Sequence, residues 1–285
     1  MSTTITDLTK NAKLTSIQEA LEASNLNFFA EEIPLVGMNG QSIPTHKSLF
    51  RADTNSFLGV VGNTYFPTQN FTSFAFADAI TQKHGYSYTQ AISKNNGEVS
   101  IIVAQSDRPD DIRPGDQVCR RIKFINSFNG KTPLSVSFEM VRLICSNGMT
   151  RSENISQIRL RHTTSIADRM SLALKVFDNS VEFHDEFVAT SKMLAQKAVD
   201  KTMVEKFLNG LFSDAKQNDS KKNIVEDLFQ NGLGNGHGSL FDMYSGATEY
   251  FQHHHGKDEK RLEYSTFGSG RTLTDKAWDI AVSLL

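Results

Sequence analysis

The stretch FEMVRLICSNGMTRSENISQIRLRHTTSIADRM, residues 138 to 170, decides how this chain is read. It opens as an apolar run and breaks at Ser146-Asn147-Gly148, a turn signal. From 155 to 162 side chains alternate between two faces of a strand. Ile155, Gln157, Arg159 and Arg161 share one face; Ser156, Ile158, Leu160 and His162 share the other. Ile158 and Leu160 can face a core, which leaves Gln157, Arg159 and Arg161 as a polar ladder. Its two guanidinium groups are about 6.6 Å apart from the strand rise, close to the repeat of an extended nucleic-acid backbone. Ser165 and Asp168 then fit an S-x-x-D capping pattern. Ile166, Met170, Leu174, Phe177, Val181 and Val188 follow at helical steps. They predict a long helix to about residue 197, roughly 50 Å at the helical rise.

Upstream of this stretch the pattern is β-rich. Asn95-Asn96-Gly97 separates YSYTQAISK from EVSIIVAQ and signals a hairpin. Residues 117–126 and 134–145, joined by NSFNGKTP, read as a second hairpin, and RPDDIRPGD as a turn-rich connector. Before them, Ile17, Leu21 and Phe28 predict a helix over 15–29 behind Thr15 or Ser16. FLGVVG (57–62) is a short strand, and Asn70 caps a helix over 71–84 that stops at Gly85. Residues 1–14 read as a loose tail.

After Asp200 the pattern turns helical and polar. KTMVEKFLNGLF is a short helix, SDAKQNDSKKN a linker, and NGLGNGHGS a glycine-rich connector. Helices at about 239–252 and 273–284 follow. The expected fold is α+β: antiparallel β-hairpins form a sheet packed on a long helix, with a helical C-terminal region. The core domain spans 15–200 and the C-terminal region 201–285.

The 285 residues carry a formal charge of −2 and 39% apolar residues. That suits a folded chain and excludes a wholly basic one. The two cysteines, Cys119 and Cys145, lie in apolar runs without Cys-x-x-Cys spacing and read as reduced, buried thiols. No segment approaches the roughly 20 apolar residues of a membrane helix. The polar N-terminus lacks a signal-peptide core. The expected location is cytoplasmic.

Charge is distributed unevenly. Between Cys119 and Lys175 ten bases face three acids, a local charge of about +7. Arg121 and Lys123 share one face of residues 117–125, repeating the basic pair at Arg159 and Arg161. Lys131, Arg142, Arg151 and Arg169 bracket the hairpin and the helix start. Arginine suits bidentate contacts to phosphate. The same residues equally suit a salt-bridged or solvated sheet face, or an acidic protein partner. Phe128, in the NSFNGKTP turn, is the one phenylalanine placed to stack on a base. Phe124 and Phe138 read as core.

No enzymatic signature stands out. His253, His254 and His255 are consecutive and cannot all face one ion on a regular helix. NGLGNGHG lacks the P-loop lysine, and Ser146 lacks the G-x-S-x-G frame. His162, next to Leu160, reads as a partly buried histidine or a phosphate ligand. No cofactor and no metal are expected.

LGVVGNTYFPTQN, VRLICSNGM and RLRHT with its following helix resemble the phage/plasmid-like proteins of domain-of-unknown-function family 932. The matching positions are Leu58, Gly59, Val61, Tyr65 and Gln69; Val141, Arg142, Cys145, Ser146, Asn147 and Gly148; and Arg161, His162 and Thr163. The likeness covers about residues 30–200 and leaves the C-terminal third outside. It implies a mobile-element setting, with the protein encoded by a phage or plasmid in a bacterial host. The order helix, hairpin, hairpin, long helix is also similar to single-strand annealing proteins of the Redβ/RecT type, an analogy of fold alone.

The expected function is single-stranded DNA binding and strand annealing by phosphate neutralisation in a basic groove. The site residues are Arg121, Lys123, Phe128, Lys131, Arg142, Arg151, Arg159, Arg161, His162 and Arg169. A homo-oligomeric ring or filament would multiply the patch, and the C-terminal region would meet replication or recombination proteins. The alternative is a non-enzymatic interaction protein whose basic face meets an acidic host or replication partner. A nucleic-acid enzyme using His162 stands third.

Overall fold

The computed structural model describes residues 2–10, 13–144, 147–149, 157–166, 184–212, 218–254 and 269–285. They divide into two compact units. Unit one takes Met1–Asp107, Arg121–Ser137 and Gln157–Asn179; unit two takes Arg108–Arg120, Phe138–Ser156 and Ser180–Leu285. Strands β8 (Asp116–Ser127) and β9 (Leu134–Arg142) each give residues to both.

Unit one carries antiparallel strands β1 (Thr3–Asp7), β5 (Tyr86–Lys94), β6 (Val99–Ser106), part of β8, part of β9 and β11 (Gln157–Leu160). The loose tail expected over 1–14 is corrected at its start. Thr3–Asp7 pairs with Lys94 through Gln90 and forms an edge strand. The hairpin read at Asn95-Asn96-Gly97 is present, with Tyr86–Lys94 paired to Val99–Ser106. Asn95, Asn96 and Gly97 all have positive φ, which asparagine and glycine tolerate best. Gly97 could not be larger, since a Cβ there would lie 2.6 Å from the Phe28 ring.

Ile122, Phe124 and Asn126 point from β8 toward the helices read at 71–84, which form as α2 (Asn70–Phe74) and α3 (Ala77–His84). Phe124 meets Phe76 edge-on at 5.7 Å. Asn126 donates to the Asn70 side chain and to the Thr68 carbonyl, both at 2.9 Å. Asn70 donates in turn to Leu26 O and Ser100 Oγ. Asn70 is therefore buried polar glue rather than the expected cap. Gly85 ends α3 in the left-handed conformation, as its position predicts. The helix expected over 15–29 is shorter, α1 (Ile17–Ala23), and Asp78 accepts its first N–H in place of a side-chain cap from Ser16.

A second antiparallel sheet in unit one is β2 (Ala30–Val36), β3 (Ser42–Arg51) and β4 (Phe57–Gly62). β4 is the strand read in FLGVVG. Its Gly59 meets the chain after β8: a Cβ would lie 2.7 Å from the Phe128 carbonyl oxygen.

Unit two is mainly helical. It holds β7 (Asp110–Arg113), in the stretch read as a connector, and β10 (Asn147–Met149). Its helices are α4 (184–196), α5 (Lys201–Leu211), α6 (Asp219–Asn231), α7 (Leu240–Glu249) and α8 (Ser269–Ser283). The linker expected in SDAKQNDSKKN becomes helix from Asp219 onward. Of the long helix expected from Ser165, residues 184–196 are helical, and 167–183 lie outside the described residues. Packing of the sheet on one long helix is thus not among the features described. Every residue of α7 is buried, so it is the central helix of this unit. Trp278 of α8 stacks on Phe187 at 4.2 Å and meets Tyr244 edge-on. Asp200 caps α5, and Ser239 with Asp242 forms a capping box on α7. Cys119 is buried, while Cys145 lies outside the described residues.

Candidate functional site

Three turns of unit one build a cavity of about 560 Å³. The first follows β4. Tyr65 N–H closes back on Gly62 O at 2.9 Å, and the Tyr65 hydroxyl donates to the Ser127 carbonyl at 2.8 Å. These bonds set Gly62, Thr64 and Tyr65 against the end of β8.

The second turn joins β8 to β9. Asn129 Oδ1 accepts the N–H groups of Lys131 and Thr132 at 2.8 and 2.9 Å, an Asx turn that fixes the loop. Gly130 supplies the positive φ. Lys131 is left exposed.

The third follows β11. Gln157–Leu160 pairs antiparallel with Ser137–Leu134, so the residue after Leu160 falls beside Pro133. That register brings Arg161, His162 and Thr163 to the same turn as Lys131. The His162 carbonyl accepts from Phe66 N–H at 3.1 Å, and its ring lies 4.8 Å from the Tyr65 ring.

The lining includes two cations, Lys131 and Arg161, and no carboxylate. Among the described residues neither cation makes an ion pair. His162 is only 6% exposed, and neither ring nitrogen has a hydrogen-bond partner among the described residues. Burial pushes its pKa down to about 4, so the imidazole is neutral at pH 7. Burial also pushes the Tyr65 hydroxyl upward, so it remains a donor. A second hollow of about 300 Å³ lies along β2 and β3, where Lys47 is already paired with Glu32 at 2.8 Å.

The structure therefore gathers Lys131, Arg161 and His162 in one cavity. Arg159 is exposed on neighbouring β11, opposite Ser135. Arg121 and Lys123 do share a face of β8, but that face is not an open furrow. Both are half-buried, and Ile101, Val103 and Ile125 on the same face are at most 2% exposed.

Two expectations are corrected outright. Phe128 is fully buried and packs on Phe28 at 5.6 Å, so it offers no face for stacking. Arg142 belongs to unit two and is also fully buried. It grips Asp116 with two nitrogens and donates to Asn235, Ser245 and the Gly234 carbonyl. Arg113 pairs with Asp116 and Asp242 in the same cluster and also donates to Gly234 O. The glycine-rich stretch is thus an acceptor for structural arginines. Arg151 and Arg169 lie outside the described residues.

Sequence reasoning missed Tyr65, Thr64, Thr132 and Thr163 as site residues. The available signals were the Gly62-Asn63 and Asn129-Gly130 turns, which locate loops without showing that they meet. Among the described residues no group of histidines, cysteines and acids has the arrangement of a metal site, and no helix is long and apolar enough to cross a membrane.

No curated protein and no solved structure matches this chain, so the likeness in element order to single-strand annealing proteins gains no support. A family model described as a domain of unknown function (DUF932) matches residues 57–278, and the chain belongs to that family. The match starts at β4 and runs into α8, so it includes most of the helical region that the resemblance left out.

Proposed function

We propose that this member of the DUF932 family binds single-stranded DNA through Lys131, Arg159 and Arg161 and promotes strand annealing without a cofactor. The observation that carries the reading is the pairing of two exposed cations on one cavity that has no acidic residue in its lining. Such a rim attracts phosphate and has no internal carboxylate to neutralise it. Arg121 and Lys123, half-buried on β8, add positive potential rather than direct contacts. Arg142 and Phe128 have no part in binding.

The patch on one chain is small. Tight binding therefore calls for several copies along a strand, as in a ring or filament, and the setting we propose is a phage or plasmid. Bases of the strand that lie outside the cavity stay accessible, which is what annealing requires.

A gel-shift series with single- and double-stranded oligonucleotides tests this. Single strands should bind at about 50 mM salt and be released steeply toward about 300 mM, as counterion release demands. Binding that is flat across that range, or absent at its lower end, would refute it. Stoichiometric capture of an acidic protein by the same rim, with no oligonucleotide binding, would support the interaction-protein alternative.

A further inference from the structure

The cavity is larger than a phosphate requires. Its volume of about 560 Å³ lies within the roughly 300–1,000 Å³ of small-ligand clefts. Cations mark only one part of its lining. The rest includes Tyr65, His162, Pro133 and small polar side chains such as Thr64 and Thr163.

His162 is the informative member. A buried polar group without a partner costs about 1–3 kcal/mol, so buried polar atoms are nearly always satisfied. Here both ring nitrogens of a residue that is more than nine-tenths buried go without one among the described residues. A neutral imidazole offers one N–H donor and one acceptor. The two nitrogens point to opposite sides of the ring, so one of them can meet a nucleobase edge, as donor or as acceptor. The adjoining Tyr65 ring is half-buried, its plane tilted 30° from the imidazole. Aromatic rings of this kind stack on any base.

We infer that the cavity is a nucleotide-binding site, with the phosphate held by Lys131 and Arg161 and the base set against Tyr65 and His162. The choice of ligand rests on the strand-binding reading above: one nucleotide of a bound strand, turned out of line, would occupy it. The same chemistry is presented by a free nucleotide, and the test separates the two sources.

The full chain is titrated by calorimetry with thymidine monophosphate, thymidine, inorganic phosphate and an oligothymidylate. Thymidine monophosphate should bind saturably with one site per chain, at least about tenfold tighter than either fragment, a difference of about 1.4 kcal/mol. Arg161→Gln, at an exposed position, should weaken the monophosphate about tenfold and leave thymidine unchanged. His162→Phe keeps a ring but removes both nitrogens, and should weaken thymidine as well as the monophosphate.

Equal affinity for inorganic phosphate and thymidine monophosphate would overturn the inference, as would no binding of the monophosphate. If the oligothymidylate still binds in a salt-dependent way, the strand-binding reading survives that failure. Monophosphate binding with no oligothymidylate binding supports the nucleotide site and refutes the strand. Should His162→Phe fail to fold by circular dichroism, the Arg161→Gln contrast between monophosphate and thymidine decides alone.

Discussion

Arg142 and Arg161 look alike in sequence, each an arginine at or just past the end of a strand, and they end in opposite settings. In unit two, Arg142 is sealed from solvent and satisfied by Asp116, Asn235, Ser245 and Gly234. In unit one, Arg161 is exposed beside a cavity without acids. The difference teaches that strand periodicity identifies which residues share a face but not whether that face is covered. Cover comes from residues far away in the chain, and it decides whether a guanidinium organises a core or meets a ligand.

The sharpest way to break this comparison is to truncate both arginines. Arg142→Ala removes one of the two arginines that hold the buried Asp116 carboxylate, leaves Asn235 and Ser245 without their arginine donor, and should cost about 3–5 kcal/mol, read from urea unfolding. Arg161→Ala should stay within about 0.5 kcal/mol, as for ordinary surface positions. Equal effects would erase the distinction.

Acid should act on both units. Burial lowers His162 in unit one and His184 in unit two to about 4 from an ordinary value of 6.5; for His184 the nearby Arg120 adds to the effect. In the unfolded chain each takes a proton near its ordinary value, so the unfolded state binds more protons between about pH 4 and 6.5. Stability present above that window is therefore lost as pH falls through it, by about 3 kcal/mol per histidine. His162→Phe should flatten part of that loss, measured as thermal midpoint against pH. A loss of the same size in the variant would remove His162 from the account.

A smaller effect tests the close approach in unit one. Gly59→Ala places a methyl against the Phe128 carbonyl and should cost about 1–3 kcal/mol by denaturant titration. A neutral result would mean that the turn after β8 can yield.

Much of the fold was legible because its signals are local. Asn95-Asn96-Gly97 requires positive φ, and Gly85 ends a helix. The α+β class, both hairpins and most helices follow from such signals. What was not legible depends on distant partners. Phe128 looked free beside Asn129-Gly130, but Phe28, at the other end of the unit's sequence, buries it. Arg142 is held from the glycine-rich loop and α7, segments that betray nothing of that role locally. Thr3–Asp7 is polar, and only pairing with β5 makes it a strand. The site was half legible. Lys131 and Arg161 stand out by their charge, while Tyr65 and the cavity itself arise only when three separate turns meet.

On the proposed function, exposed cations at this cavity hold phosphate. The salt dependence of oligothymidylate affinity, compared between the natural chain and the Lys131→Ala, Arg161→Ala double variant, tests it most directly. We predict a steep fall of log K with log salt for the natural chain, and a slope shallower by roughly 1 to 2 in the variant, with folding unchanged. Identical slopes and affinities for the two proteins would contradict it.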